Sequence, residues 1–154
     1  MATLSDVQEF LALHRLAVVG VSRNPKDFTR MLLRELLGRG YDAVPVNPGT
    51  REMEGVACFA SLAEVQPPVE GALLMTPPAV TDTVVRQCAE AGIRRVWMFR
   101  GAGHGAVSAG AVAFCMQNGI RAVEGECPFM FLPHSQWIHR AHGFCRRLLG
   151  RYPN

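Results

Sequence analysis

Residues 16–36 read LAVVGVSRNPKDFTRMLLREL: a run of small and β-branched apolar residues, a polar turn opened by a glycine, then leucines. Leu16 to Gly20 has the pattern of a strand buried on both faces, and Thr29 to Leu37 that of a helix closed near Gly38 or Gly40. Between them, GVSRNPKDF joins strand to helix, where unpaired backbone N–H groups and the helix dipole favour an anion. Gly20 lets the chain turn tightly, Ser22, Arg23, Lys26 and Thr29 offer donors, and Arg23, Lys26 and Arg30 put three cations within eight positions. An ordinary capped turn built on Asn24 and Pro25 is the other reading. Asp42 to Val46 is a second strand, completing β-α-β within about thirty residues.

The same alternation continues outward. SDVQEFLALH predicts a leading helix with Ser5 as N-cap and Gln8 as its reciprocal partner. Ser61 and Glu64 repeat that capping pattern and predict one helical turn. EGALLMT (Glu70 to Thr76) is a strand, and PPAVTDTVVRQCAEAG is a helix with Pro78 in its first turn, Val80, Val84, Cys88 and Ala91 inward, and Gly92 as its stop. RRVWMF, GAVSAGAVAFCMQNG and IRAVEG follow as strand, helix and strand. The expected fold is α/β: a Rossmann-like doubly wound parallel sheet of about five strands, with an N-terminal helix and a C-terminal helical tail. One domain is expected over 1–154, its core at about 13–127 and its tail at 128–154. Ligands of such sheets sit beyond the carboxyl ends of the strands, here after Gly20, Val46, Met75, Phe99 and Val123.

Composition bounds the function. A chain of 154 residues, 49% hydrophobic, suits one self-sufficient core. Five scattered cysteines without C-x-x-C spacing and no signal-like N-terminus point to a reduced, cytoplasmic protein. Charges interrupt every apolar run before the ~20 residues of a membrane helix, so no membrane partner is expected. The net charge of +3 resides in the tail: Phe129 to Asn154 carries Arg140, Arg146, Arg147 and Arg151 and no acid, leaving one more acid than base elsewhere. Such a stripe reads as a solvated face, and nucleic acid is not the expected partner.

A dinucleotide site needs G-x-G-x-x-G in the first turn and an acid at the end of the second strand. Here Gly20 is followed by Val21, Ser22 and Arg23, and Val46 by Asn47, Pro48, Gly49, Thr50 and Arg51. Arginine at that place suits a phosphate. VVGVS, GYDAVPVNP, MEGVACFASLAEV and GIRRVWMF together resemble the bacterial CoA-binding domain family over roughly Leu13 to Cys127. More distantly the chain is similar to the N-terminal CoA-binding domain of the succinyl-CoA synthetase alpha subunit. The resemblance implies that coenzyme A or an acyl-CoA is held by the loops Gly20 to Phe28, Val46 to Arg51 and Thr76 to Ala79. The residues it points to are Gly20, Val21, Ser22, Arg23, Lys26, Phe28, Val46, Asn47, Pro48, Arg51, Thr76, Pro77 and Pro78. Arg23, Lys26 and Arg51 match the 3′-phosphate and diphosphate of coenzyme A. Thr76 to Pro78 reads either as a stiff wall against the ligand or as helix initiation. VWMFRGAGHGAV departs from the tryptophan-glutamine-x-glycine run often found in the family.

No nucleophile, base and acid converge, so no catalytic residue and no metal site is expected. His104 lacks the second domain in which the synthetase histidine lies. Cys127, beside Glu124 and Glu126, reads as structural, since nearby acids raise a thiol pKa. His134, His139, His142 and Cys145 fit an amphipathic helix with Ile138, Ala141, Phe144 and Leu148 better than a zinc motif. The leading expectation is a protein that binds coenzyme A or acyl-CoA without self-sufficient catalysis, its partner a small nucleotide ligand. An NADP-dependent oxidoreductase with Arg51 on the 2′-phosphate, or a nucleotide-binding scaffold with a partner-binding basic tail, are the alternatives. A homo-oligomer is left open.

Overall fold

The computed structural model describes residues 2–101 and 105–133. In chain order the elements are α1 (Leu4–Leu11), β1 (Arg15–Val19), α2 (Phe28–Gly38), β2 (Asp42–Val46), β3 (Glu52–Met53), β4 (Val56–Ala57), β5 (Gly71–Leu74), α3 (Pro78–Glu90), β6 (Arg95–Phe99), α4 (Ala109–Gln117) and β7 (Arg121–Glu126). Five strands form one parallel sheet in the order β2-β1-β5-β6-β7. The chain therefore steps outward from β1 in one direction to β2 and in the other to β5. This reversal opens a crevice at the carboxyl ends of β1 and β5. The architecture is the expected Rossmann-like α/β fold.

Strand alternation sends side chains to two cores. Leu16, Val18, Leu73, Trp97 and Val123 pack with Val7 and Phe10 of α1 and Leu32, Leu33 and Leu36 of α2. Ala17, Val19, Ala72, Leu74, Val96 and Met98 pack with Val84, Val85 and Cys88 of α3 and Ala111 and Cys115 of α4. A buried indole needs a partner for its N–H, and Trp97 Nε1 donates to the Glu126 carbonyl at 2.9 Å. Three helices stop in the same way. Gly40, Gly92 and Gly119 take positive φ, and the next residue's N–H returns to a helix carbonyl: Tyr41 to Leu36, Ile93 to Cys88 and Ile120 to Cys115. Each turn ends a helix and aims the chain into the sheet.

Some expectations are corrected. Thr3, not Ser5, caps α1, with Asp6 as the reciprocal partner; Ser5 lies inside the helix and donates to Glu9. Ser61 precedes a single 3-10 turn, Leu62–Glu64, without a side-chain cap. On α3 the inward residues are Thr81, Val84, Val85 and Cys88, whereas Val80 and Ala91 face solvent. The reason is local: the Thr81 hydroxyl pairs with Thr76 Oγ1 at 2.7 Å and donates to the Pro77 carbonyl, so a polar residue is satisfied inside. The hairpin β3–β4 was not expected. Its turn residues Glu54 and Gly55 have φ of 51° and 76°, the two positive values that a tight hairpin turn requires. Beyond β7 comes a 3-10 turn, Pro128–Met130. His104 and residues 134–154, with the expected tail helix, its histidines, Cys145 and arginines, lie outside the described residues. No helix among the described residues is long and apolar enough to cross a membrane.

Candidate functional site

The first loop is closed at Gly20, whose φ is +91°. A Cβ there would stand 2.7 Å from the Met75 carbonyl oxygen and 3.1 Å from Thr76 Cγ2, so only glycine lets the β1 and β5 ends approach this closely. Val21 is buried. The rest of the loop is wound on its own polar groups: Ser22 N–H donates to Thr29 Oγ1 at 2.8 Å, Asn24 N–H to Ser22 Oγ, and Lys26 N–H to Asn24 Oδ1. Asp27 is the N-cap of α2, accepting from Thr29 N–H at 2.8 Å and from the Thr29 hydroxyl. These hydrogen bonds hold the Asp27 carboxyl below the ordinary carboxylate range. The helix N-terminus, read in the sequence as facing an anion, thus carries a carboxylate of its own on the Thr29 N–H. What the loop offers to solvent are the exposed Arg23 and Lys26 side chains.

The second loop is tied to the first by Asn47. Its Nδ2 donates to the Val21 carbonyl at 2.9 Å while its Oδ1 accepts from Gly49 N–H at 2.7 Å. Arg23 lies across this turn, its Cδ and Nε at 3.1 and 3.2 Å from where a Gly49 Cβ would stand. Val46 is buried, and Pro48 and Arg51 are exposed. No hydrogen bond or ion pair among the described residues engages the side chains of Arg23, Lys26 or Arg51. Among the described residues, then, the two pinned loops carry three exposed cations without side-chain partners, and of these Arg23 lies across the junction itself.

Two arginines that look equivalent in the sequence are otherwise employed. Arg30 donates through Nε and Nη2 to Glu54 Oε1, at 2.8 and 2.5 Å, and through Nη1 to the Arg23 carbonyl at 3.1 Å. Arg34 reaches the same Glu54 oxygen and the Pro25 carbonyl, both at 3.1 Å. Arg30, with Arg34, holds the Glu54 carboxyl below its usual range. The hairpin carrying Glu54 thus braces the first loop from behind and engages the Arg30 guanidinium. The signal missed in the sequence was the two-residue Glu54-Gly55 turn.

The third segment forms a wall. Thr76 is buried with its hydroxyl on Thr81, Pro77 is exposed, and Pro78 opens α3 at a position where a missing N–H costs nothing. Thr76 to Pro78 thus initiates a helix at the carboxyl end of β5, which is the second of the two sequence readings. Phe28, the first residue of α2, packs against Phe99 and Phe129, with ring centroids at 5.4 and 5.8 Å. Its ring is part of the core beneath the loops rather than a free stacking surface.

The described thiols offer no activated nucleophile. Cys58, Cys88, Cys115 and Cys127 are buried and free. Burial pushes Cys88 up to about 12 and Cys115 to about 11, and raises Cys58 and Cys127 as well. For Cys127 the Glu126 carboxylate adds to the rise, as the sequence implied. Elsewhere, a cleft of about 380 Å³ lies between the 3-10 turn and the C-terminal end of α3, lined by Leu62, Val65, Pro68, Gln87, Glu90 and Ile93 among others. It holds no cation that could meet a phosphate and lies away from the strand ends.

Comparison with known proteins follows the same residues. Residues 14–133 match the CoA binding domain family. An uncharacterized protein from Bacillus subtilis, YneT, is 38% identical over 67 residues, which are 43% of this chain and 50% of that protein. The acetate–CoA ligase (ADP-forming) II alpha subunit of Pyrococcus furiosus is 28% identical over 82 residues, 53% of this chain and 18% of that one. The chain thus spans half or less of the length of these relatives. A solved structure of a hypothetical protein from Pyrococcus horikoshii superimposes with a TM-score of 0.74 at 27% identity, covering 80% of this chain and 85% of that one. A parallel sheet reversing between β1 and β5, a glycine-closed first turn and a match across 14–133 agree: the chain belongs to the CoA binding domain family.

Proposed function

We propose that this domain binds coenzyme A or an acyl-CoA at the junction of the β1 and β2 loops and performs no chemistry on it alone. The observation that carries the reading is that two loops locked together by Asn47 carry three exposed cations, Arg23, Lys26 and Arg51. Coenzyme A brings a 3′-phosphate and a diphosphate, and a cationic rim matches them better than a site for a neutral ribose. Because Asp27 caps α2, the phosphates meet arginine and lysine side chains rather than the helix end. Pro77 and Pro78 supply a stiff wall, which lowers the entropy lost when the ligand is immobilised.

The acetate–CoA ligase relatives support the ligand and not the reaction, since this chain matches a fraction of their length. The raised thiol pKa values support binding without catalysis, because a protonated buried thiol is a poor nucleophile. A thermal-shift panel of coenzyme A, acetyl-CoA, NAD and NADP tests the proposal. Stabilisation by the two coenzyme A species alone is expected. Stabilisation by NADP alone would favour an oxidoreductase site in which Arg51, after β2, meets the 2′-phosphate.

A further inference from the structure

One more cation stands at the carboxyl ends of the strands. Arg100 follows β6, is exposed, and has no hydrogen bond or ion pair to its side chain among the described residues. Its place is fixed by the backbone. The pairing of β6 with β7 slips between Met98 and Phe99, so that Met98 faces Glu124 and Phe99 faces Glu126, skipping Gly125. Gly125, at φ +77°, is the bulged residue. Arg100 N–H then donates to the Glu126 carbonyl at 3.3 Å, and the guanidinium lies over Gly125, its Cζ 3.7 Å from where a Cβ would be. Phe99 touches Phe28 at 5.4 Å, which sets the end of β6 beside the loop that follows β1. Arg100 therefore stands at the carboxyl end of the sheet, its guanidinium over the edge strand β7, on the side away from Arg51.

That position has a chemical meaning, which rests on the coenzyme A reading. In doubly wound sheets the adenosine ribose meets the end of β2 and the diphosphate meets the turn after β1. The remainder of the ligand then extends over β5 toward β6, which lies three strand spacings, about 14 Å, from β2. Coenzyme A carries no charge at that end: the pantetheine arm is neutral and finishes in a thiol. Free coenzyme A and acetyl-CoA offer no anion to an arginine there that has no side-chain partner among the described residues. It has a partner when the acyl group itself ends in a carboxylate, which guanidinium binds through two parallel hydrogen bonds. We infer that Arg100 is a specificity-determining residue that selects acyl-CoA ligands whose acyl group bears a terminal carboxylate.

The experiment is calorimetry on the full chain with two matched pairs, propionyl-CoA against malonyl-CoA and pentanoyl-CoA against glutaryl-CoA. Each pair replaces a methyl by a carboxylate at constant chain length. The carboxylate member of at least one pair should bind about tenfold more tightly. Arg100→Gln should abolish that preference while leaving affinities for coenzyme A and propionyl-CoA within about twofold, and Arg100→Lys should restore part of it. Equal binding within both pairs, with coenzyme A still bound, overturns this inference alone. Weakening of coenzyme A, propionyl-CoA and malonyl-CoA alike by Arg100→Gln also overturns it, by placing Arg100 on a phosphate. Absence of binding by every coenzyme A species overturns the underlying reading and this inference with it.

Discussion

At the scale of single residues, the site depends on contacts that tolerate no substitute. Gly20→Ala forces a Cβ to 2.7 Å from the Met75 carbonyl in a backbone conformation that alanine resists. A loss of about 2–4 kcal/mol in stability is expected by urea denaturation, from left-handed strain plus overpacking. A loss under ~0.5 kcal/mol would show that β1 and β5 need not approach so closely. Asn47 was legible as a site residue only in outline, because its hydrogen bonds to Val21 and Gly49 depend on two loops meeting in space. Arg23 and Arg30 look alike in the sequence, seven positions apart. One faces solvent and the other is fixed to Glu54, a residue 24 positions away that no local pattern connects to it.

At the scale of elements, the β3–β4 hairpin acts on the first loop through Glu54. Glu54→Gln removes the charge that two arginines share, and a cost of about 1–2 kcal/mol is expected, reduced by the exposure of Arg34. Amide exchange should quicken in residues 22–26 but not in β6, whereas uniform quickening would show that the brace is not local. The packing of α3 on α4 makes a second prediction, since Cys88 and Cys115 are neutral in the fold and ionise near 9 once unfolded. Their folded values are raised, so their contribution is complete below about pH 8.5 and is lost as pH climbs toward 11 and 12. Each thiol should remove about 1.4 kcal/mol per pH unit in that window. Cys88→Ala should be less stable at pH 7 yet show a shallower alkaline decline; parallel declines would contradict the assignment. Element boundaries were most legible where local chemistry decides them. Asp42–Val46 matches to the residue, because a glycine turn precedes it and an Asn-Pro turn follows. The phase of α3 was not legible, since Thr81 is inside through hydrogen bonds that a count of apolar residues does not register. The Glu54-Gly55 turn was also missed, because asparagine or aspartate normally announces such a turn.

At the scale of the whole molecule, the sheet order brings together loops that lie far apart in the chain. Gly20, Asn47 and Thr76 meet because β1 lies between β2 and β5; the alternation of strands and helices implied a parallel sheet, and the family resemblance implied these three loops. That Arg30 is taken up by Glu54 was not legible in the sequence, since the pair forms only once the hairpin folds over it. The account's central claim is that the free cations hold the phosphates of coenzyme A. It is tested most directly by calorimetric titration of the protein and of Arg23→Ala, Lys26→Ala and Arg51→Ala with coenzyme A, 3′-dephospho-CoA and NADP. Coenzyme A should bind more tightly than 3′-dephospho-CoA, and both more tightly than NADP. Each substitution should cost roughly 1.5–3 kcal/mol, or about ten to a hundredfold, toward the lower end for exposed groups. At least one substitution should lose most of its effect when the 3′-phosphate is absent. Tight NADP binding that depends on Arg51, with coenzyme A affinity unchanged by all three substitutions, would contradict the account.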